Sequence, residues 1–322
     1  MIMNKYNYSE FSDEVSKLKI DIFISSSSFE DRCFIIADLV KDLQPKKNVF
    51  FFNGNEDELI ISNSEKLCAE RSNSNRIELN SNNPVDNYVK IDEFLSEISR
   101  SFNNPNVLID ITTFTHETLL VLVKLVQLKN PLFGDVYIAY VGAKEYSTNS
   151  LDNEEKWLSK GIDQIRTVLG YSGFTNPTHK NHLIILFGFE SERTKRIIEE
   201  YEYENITLGF GGNFIMENHL KINYERHAKL LKEYPNARKF TFSLTDPVDA
   251  KNDILNYLSA QELKNLNTVI APLNNKISTV GAALAAMSNE RIQLAYAKPL
   301  IYNTEGYSRP NNDIYLCKLA FD

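Results

Sequence analysis

Segments in the second half of this chain match segments in the first half, in the same order and at a nearly constant distance along the sequence. Asp21-Ile22-Phe23-Ile24 followed by Arg32 is matched by His182-Leu183-Ile184-Ile185 followed by Arg193, and the two arginines lie 161 positions apart (193 − 32). Further matches pair Phe52-Asn53-Gly54-Asn55 with Phe210-Gly211-Gly212-Asn213, Pro84-Val85-Asp86 with Pro247-Val248-Asp249, 108–111 with 268–271, and Ala139-Tyr140 with Ala295-Tyr296. Ordered matches at a steady offset predict an internal duplication.

Both halves alternate short apolar strands with helical segments. The first half predicts strands at 20–24, 49–52, 77–79, 107–111 and 136–141, separated by helices at 32–43, 57–71, 85–99 and 116–128. The second half predicts strands at 183–187, 207–210, 239–243, 268–271 and 292–297, separated by helices at 191–201, 218–233, 248–258 and 278–288. This alternation predicts an α/β protein made of two tandem Rossmann-like domains with parallel sheets.

The domain boundaries follow from the segment between the halves. Residues 1–150 form the first predicted domain, 151–180 a helical linker and 181–322 the second domain. The linker contains an amphipathic helix at 152–169 and then a loop rich in Gly, Asn, Thr and Pro. The last segment, 313–321, is expected to add an edge strand to the second domain.

Composition limits the partners of the chain. A formal charge of −8 and a pI of about 5.3 disfavour extended duplex nucleic acid but allow a small anionic ligand in one pocket. Three cysteines without a CxxC pair indicate a reduced, cytoplasmic protein. The most apolar run, 119–128, is too short to span a membrane. The few clustered histidines make a poor metal site, and no cofactor fingerprint is present, so we expect neither metal nor cofactor.

Small and hydroxyl residues follow the first strand of each half. Ser26, Ser27 and Ser28 lead into a helix with Arg32 in its first turn, and Gly188 precedes Arg193 in the same way. Backbone N–H groups at a helix N-terminus attract anions, and an arginine one turn further on adds a forked phosphate contact. The alternative is an ordinary serine cap with a solvated arginine.

Loops after other strands supply further candidates. Asn53 and Gly212 follow the second strands, where glycine allows either a plain turn or close approach to a ligand. Lys298 and Tyr302 stand near the last long loop, 302–312, where an aromatic ring and a cation can clamp a nucleotide or simply cover the surface.

The loops after the fourth strands are polar and lead directly into helices. The first contains Thr112, Thr113 and Thr115, and the second contains Asn274, Asn275 and Lys276. The run Asp110-Ile111-Thr112-Thr113-Phe114-Thr115 resembles the Asp-x-Thr-Gly-Gly-Thr-Lys loop of the CRISPR-associated Rossmann-fold (CARF) sensor domains, with Thr113, Phe114 and His116 in place of the glycines and the lysine. The resemblance implies that these loops bind a cyclic oligoadenylate, and that the protein serves bacterial antiviral defence.

Titratable residues near the same strand ends allow a second hypothesis. Asp110, His116, Glu30 and Glu190 are acid–base candidates for a nucleotide hydrolase or glycosidase on the same fold. Alternatively, Asp110 orders its own loop and His116 only occupies the first helical turn.

The segments 118–128 and 281–286 are apolar on nearly every side, which predicts helices that are buried all round, against a sister domain, another subunit or local loops. No further domain is long enough to act as an effector. We therefore expect a nucleotide sensor that works with a partner effector or by self-association. An assembly subunit without any ligand is the remaining alternative.

Overall fold

The computed structural model of this chain describes residues 3–146, 158–212, 221, 224, 225, 227–304 and 308–321. Two compact units emerge: one comprises residues 1–144 together with 309–322, and the other comprises residues 145–308. Each unit has its own sheet and its own apolar core.

The first unit is built on a seven-stranded sheet. Its strands are β1 (Asn4–Tyr6), β2 (Ile22–Ser26), β3 (Lys47–Asn53), β4 (Ser74–Leu79), β5 (Val107–Asp110), β6 (Val136–Tyr146) and β13 (Ser308–Leu319), in the spatial order β1-β13-β6-β5-β2-β3-β4. The strands from β6 to β4 in that order are parallel. The central strands are buried along their length, as parallel strands covered on both faces must be.

Five described helices accompany this sheet: α1 (Tyr8–Lys17), α2 (Arg32–Leu39), α3 (Glu58–Ala69), α4 (Pro84–Ser101) and α5 (His116–Lys129). Their first residues follow from local chemistry. Asn7 forms a capping box with Glu10 at the start of α1, and Pro84 occupies the first turn of α4, where its missing N–H costs nothing. Thr115 caps α5 by accepting a hydrogen bond from the N–H of Thr118.

The second unit has a six-stranded sheet. Its strands are β7 (Ser159–Thr167), β8 (Lys180–Leu186), β9 (Asn205–Gly211), β10 (Arg238–Phe242), β11 (Leu266–Pro272) and β12 (Ile292–Tyr302), in the order β10-β9-β8-β11-β12-β7. The described helices of this unit are α6 (Ser191–Tyr201), α7 (Ala228–Glu233), α8 (Pro247–Leu258) and α9 (Lys276–Ser288). All strand pairs except β12 with β7 are parallel.

The predicted fold class is confirmed: each unit is a Rossmann-like α/β layer structure with a mostly parallel sheet. When the five parallel strands of each unit are numbered in chain order, both sheets have the spatial order third, second, first, fourth, fifth. Beyond the fifth strand, the first sheet continues with β13 and β1, and the second sheet continues with the antiparallel strand β7. This common order is what a duplication would produce. Common ancestry of the two units nevertheless stays a prediction.

The two apolar helices are buried nearly all round, as the sequence indicated. In α5 the buried residues run from Glu117 to Val123 and include Leu125 and Val126, and in α9 they run from Ile277 to Ala286. Neighbouring helices inside each unit supply part of this cover. Lys129 of α5 reaches Asp92 and Ser96 of α4, and Gly281 of α9 lies so close to Ala250 of α8 that an added Cβ would meet its Cβ at 2.5 Å.

The predicted linker helix at 152–169 is wrong for its described part, which forms strand β7. This strand pairs antiparallel with β12, and the register shifts opposite Lys298 and Pro299 so that Asp163 is passed over. The bulge lets Ile162 and Ile165 both pack against the core of the second unit. Apolar residues three positions apart imitate helical spacing, which is why the sequence pattern favoured a helix.

The predicted boundary at 181–322 also needs correction, because the final strand does not belong to the second unit. β13 lies inside the first sheet, between β1 and β6, and Ile314 and Leu316 pack in the first unit's core. Residue 144 ends the first contiguous segment of that unit. β13 is therefore an interior strand of the first sheet and not an edge strand of the second.

Within the described ranges, no helix combines the length and the apolar character needed to cross a bilayer.

Candidate functional site

In both units the chain reverses its direction of travel across the sheet next to the first parallel strand. β2 lies between β3 and β5, and β8 lies between β9 and β11, so the crevice between the first and fourth parallel strands is the topological switch point. In open α/β sheets ligands bind at the carboxyl ends of the strands beside that point.

The serine loop after β2 is ordered by contacts inside the first unit. Ser27 donates through Oγ to the carbonyl of Ile60 at 2.7 Å, and the carbonyl of Ser28 accepts from Asn63 Nδ2 at 2.8 Å. The loop is thereby fixed against α3. Ser26, Ser27 and Ser28 are all buried, at 8%, 4% and 6% exposure, so the row of hydroxyls is part of the packing of the loop.

Arg32 is buried and engaged inside the protein. Its Nε and Nη2 donate to Glu30 Oε2 at 3.0 and 2.7 Å, and its Nη1 donates to the carbonyl of Val141 at 3.0 Å. Only 3% of the arginine is exposed. The guanidinium thus joins the start of α2 to the middle of β6, and its described bonds leave no open fork for phosphate.

Arg193 makes the corresponding contacts in the second unit. Its Nη1 donates to Glu190 Oε2 at 2.9 Å, and its Nε donates to the carbonyl of Ala297 at 2.9 Å. Glu190 also accepts from the hydroxyl of Ser159. Burial acts to lower the pKa of Arg193, but the charges of Glu190 and Tyr296 outweigh it and raise the pKa above its usual value. The two arginines make matching contacts, although Arg32 is the first residue of α2 and Arg193 is the third residue of α6, and both have the geometry of a buried clamp.

Asp110 ends β5 and is fully buried. Its Oδ1 accepts from the N–H of Thr112 at 3.0 Å and from the Thr112 hydroxyl at 2.5 Å, and Ser25 Oγ lies 3.5 Å from its Oδ2. Burial raises the pKa of Asp110 to about 7, although the bonds from Thr112 and the charge of Arg32 act in the opposite direction. Through these bonds Asp110 orders its own loop, which was the structural alternative to an acid–base role.

The loop that follows β5 closes the floor of the crevice. Thr113 Oγ1 donates to the carbonyl of Ser26 at 2.6 Å, which links the ends of β5 and β2. Thr115 and His116 lie at the start of α5 and are half-buried. Of the predicted residues in this loop, Thr115 and His116 are therefore at the rim, while Thr112 is in the interior.

The second unit repeats this closure with different residues. Asn274 Nδ2 donates to the carbonyl of Phe187, and Gly188 lies against Leu273 so closely that an added Cβ would be 2.0 Å from its carbonyl oxygen. Asn275 caps α9 by accepting from the N–H of Ser278 and also donates to the carbonyl of Leu244. Lys276 follows as the first residue of that helix.

Asn53 and Gly212 occupy the ends of the second parallel strands. Asn53 is half-buried, and its Oδ1 is shielded from solvent without a hydrogen-bond partner in the described part of the chain. The next residues are structural, since Asn55 bonds Ser81 at the end of β4. Gly212 donates its N–H to the carbonyl of Phe242, and an added Cβ would meet only ordinary contacts there. Asn213 lies outside the described residues.

Lys298 and Tyr302 lie on the antiparallel ribbon that β12 forms with β7. Lys298 Nζ pairs with Asp163 Oδ2 at 2.8 Å, across the β12–β7 ribbon, and Tyr302 stands opposite Ser159 in the same ribbon. Ser159, opposite Tyr302, donates to Glu190, and the charge of Tyr302 helps to raise the pKa of Arg193, so this ribbon lies next to the arginine clamp of the second unit.

Sequence reasoning missed two features of these sites. The partner of each arginine is an acid two or three residues earlier, Glu30 or Glu190, and the pattern Glu-x-Arg or Glu-x-x-Arg was visible. The carbonyl acceptors Val141 and Ala297 could not be found from residue types, because any residue supplies a carbonyl.

Two described cavities, of 640 and 360 Å³, lie away from the strand carboxyl ends, beside β4 and at the amino ends of β11 and β12.

Comparison with known proteins identifies no family for this chain. No protein-family model matches the chain, and no curated protein matches it in sequence. Among solved structures, the binary complex of leucoanthocyanidin reductase with NADPH from Vitis vinifera is similar over 83% of this chain and 86% of that chain, with 9% sequence identity and a TM-score of 0.26. A likeness at this level carries no information about the ligand or activity of the present protein.

Proposed function

We propose that this protein binds a nucleotide at the carboxyl ends of β2, β3 and β5 in its first unit and acts as a regulatory binding protein. The observation that carries the proposal is Asn53 Oδ1, a shielded acceptor without a hydrogen-bond partner among the described residues. A buried acceptor left unbonded costs about 1–3 kcal/mol. Because the Asn53 residue is only half-buried, a rotation of its side chain would present this oxygen to a ligand, and a ligand that donates a hydrogen bond to it, such as a base amino group or a ribose hydroxyl, would recover that energy.

The N-terminus of α5, beside the loop that follows β5, offers a place for the phosphate group of the proposed nucleotide. α5 is 14 residues long and starts at His116, directly after the Thr113 contact that bridges β5 and β2. The N-terminus of such a helix carries a partial positive charge and favours phosphate. The buried Asp110 supports the loop from below through Thr112, so the rim is held in one conformation.

The hydrolase alternative has less support in the geometry. Glu30 and Glu190 are each bound to a buried arginine, and Asp110 is fully buried beneath Thr112. A general acid or base must reach the substrate within hydrogen-bonding distance. Of the four candidates, only His116 lies at the rim of a strand-end loop, and one half-buried histidine does not define an acid–base pair.

A sensor role, with a partner effector or self-association and a place in antiviral defence, belongs to the proposal through the loop resemblance alone. Asp110, Thr112 and Thr115 are the positions that match the sensor family's loop. An assembly subunit without ligand is favoured by no specific contact.

The test is a calorimetric titration of the full chain with mono-, di- and cyclic nucleotides. Binding should appear for at least one member, and Asn53→Leu, which removes the acceptor at similar volume, should weaken it by roughly threefold to tenfold, the value of one hydrogen bond. Asn103→Leu makes the same change on an exposed loop before β5. This loop lies at the amino ends of the parallel strands, far from the proposed site, so the variant should leave affinity unchanged. Absence of heat with every nucleotide would refute the proposal.

A further inference from the structure

The outer edge of β4 is an unpaired sheet edge. β4 is the last strand of the first sheet and pairs with β3 only on one side, and no described strand covers the other side. A groove of 640 Å³ runs beside this edge, between β4 and α4, and its lining includes Ile77 and Phe94. Open edges of this kind are templates for strand pairing.

The hydrogen bonds between β3 and β4 show which backbone N–H and C=O groups of β4 face away from β3. The carbonyls of Asn73 and Leu79 accept from Asn48 and Gly54 on the β3 side. Because a strand alternates with a period of two, the backbone groups of Arg76 and Glu78 point away from β3. The bond from Lys90 Nζ to the carbonyl of Glu78, at 2.9 Å, confirms this direction for one of them.

Charge then selects one register for pairing with an identical strand. Two antiparallel copies of β4 can exchange hydrogen bonds only between outward residues. Centred on Ile77, each Arg76 lies opposite Glu78 of the other copy and the two Ile77 side chains meet, about 4.5 Å apart at Cα. Centred on Arg76 or on Glu78, like charges would face each other, which is destabilising.

From this complementarity we infer that β4 is a self-association surface, on which a second copy of this chain pairs antiparallel about a two-fold axis at Ile77 and extends the sheet. On α4, Lys90 and Glu93 line the groove, and an exposed stripe next to them contains Val85 and Val89, which are 60% and 44% exposed. The second copy would cover part of that stripe. Lys90 would give up its bond to the Glu78 carbonyl and keep its pair with Asp86.

Sedimentation analysis of the full chain over a range of concentrations tests this inference. The wild type should form dimers. Arg76→Glu and Glu78→Arg, made singly, should each weaken dimerisation by roughly tenfold or more, because each places two like-charged pairs across the axis. The combined swap Arg76→Glu/Glu78→Arg restores opposite charges and should restore the dimer. Lys66→Glu, an exposed charge reversal on α3, is the matched control and should change nothing.

A crosslink reads the register directly. Ile77→Cys would place two thiols opposite each other at the axis, so mild oxidation should give a disulfide-linked dimer, whereas Asn75→Cys should not. Monomer at every concentration would overturn the inference. The inference would equally be overturned if the single charge reversals left the dimerisation affinity unchanged, or if the combined swap failed to restore it. In either case the dimer contact would lie on another face.

Discussion

At the scale of single residues, Asp110 is the least expected feature of the first unit. A carboxyl group with no exposed surface is costly to ionise, and burial raises its pKa to about 7. Because the folded state holds this proton more tightly than the unfolded state, stability falls as the pH rises from about 4 to about 7. The difference corresponds to about 4 kcal/mol. Strongly perturbed groups of this kind concentrate at functional sites.

We expect Asp110→Asn to remove that pH dependence. The amide oxygen can still accept both bonds from Thr112, and the amide nitrogen can donate to Ser25. The variant should therefore be at least as stable as the wild type at pH 8 and should gain least at pH 5. Urea unfolding at pH 5, 6, 7 and 8 measures this. Parallel profiles for the two proteins would show that Asp110 is ionised at no cost.

His182 in the second unit has the opposite dependence. It is buried between Thr207 and Thr268, and burial, with a smaller effect of Arg238, lowers its pKa to about 4. The unfolded state binds the proton more tightly, so stability is lost as the pH falls from about 6.5 to about 4. His182→Gln should be less acid-sensitive over that range, as measured by thermal unfolding. An unchanged acid profile would exclude His182 as the titrating group.

At the scale of elements, the arginine clamps connect the helix that follows the first parallel strand of each unit, α2 or α6, to the fifth parallel strand, β6 or β12. Arg32→Met would leave Glu30 buried without its cation and the Val141 carbonyl without its donor. Breaking one partner of a buried pair costs about 3–5 kcal/mol. We expect a large fall in melting temperature for Arg32→Met, and a partial recovery in Arg32→Met/Glu30→Gln, which removes the orphaned charge.

Arg193→Met is the matched change in the second unit and should behave in the same way, since Arg193 binds Glu190 and Ala297. If the arginines instead serve mainly as ligand contacts, both variants would keep their melting temperatures and lose only nucleotide binding. Calorimetric titration alongside thermal unfolding separates the two roles.

Strand and helix assignments show where sequence patterns suffice. The parallel strands and the apolar helices α5 and α9 were predictable, because burial on both sides leaves an unmistakable composition. β7 was not, since its bulge places Ile162 and Ile165 at helical spacing. Residue positions in the candidate site were predictable from the strand ends. The closure of the crevices by Thr113 and Asn274 was not, because the acceptors are backbone carbonyls.

At the scale of the whole molecule, the first unit is discontinuous in sequence. Ile314 lies only eight positions from the last residue, yet it is fully buried in the core of the first unit. Ile314→Ala should destabilise that unit by roughly 2–5 kcal/mol. Hydrogen exchange should rise in residues 22–144 more than in residues 180–300. Ile301→Ala, at a position that is 56% exposed, is the control and should have almost no effect.

The position of β13 also determines the order in which the two sheets can be completed during synthesis. The chain emerges from the ribosome with its N-terminus first, but β1 cannot join this sheet until residues 308–319 supply β13, the strand between it and β6. Translation therefore delivers a second unit whose strands are all available before the first can be completed. A ribosome-bound nascent chain should carry an open edge at β6 until β13 has emerged, and we expect a chaperone to bind that edge during this interval.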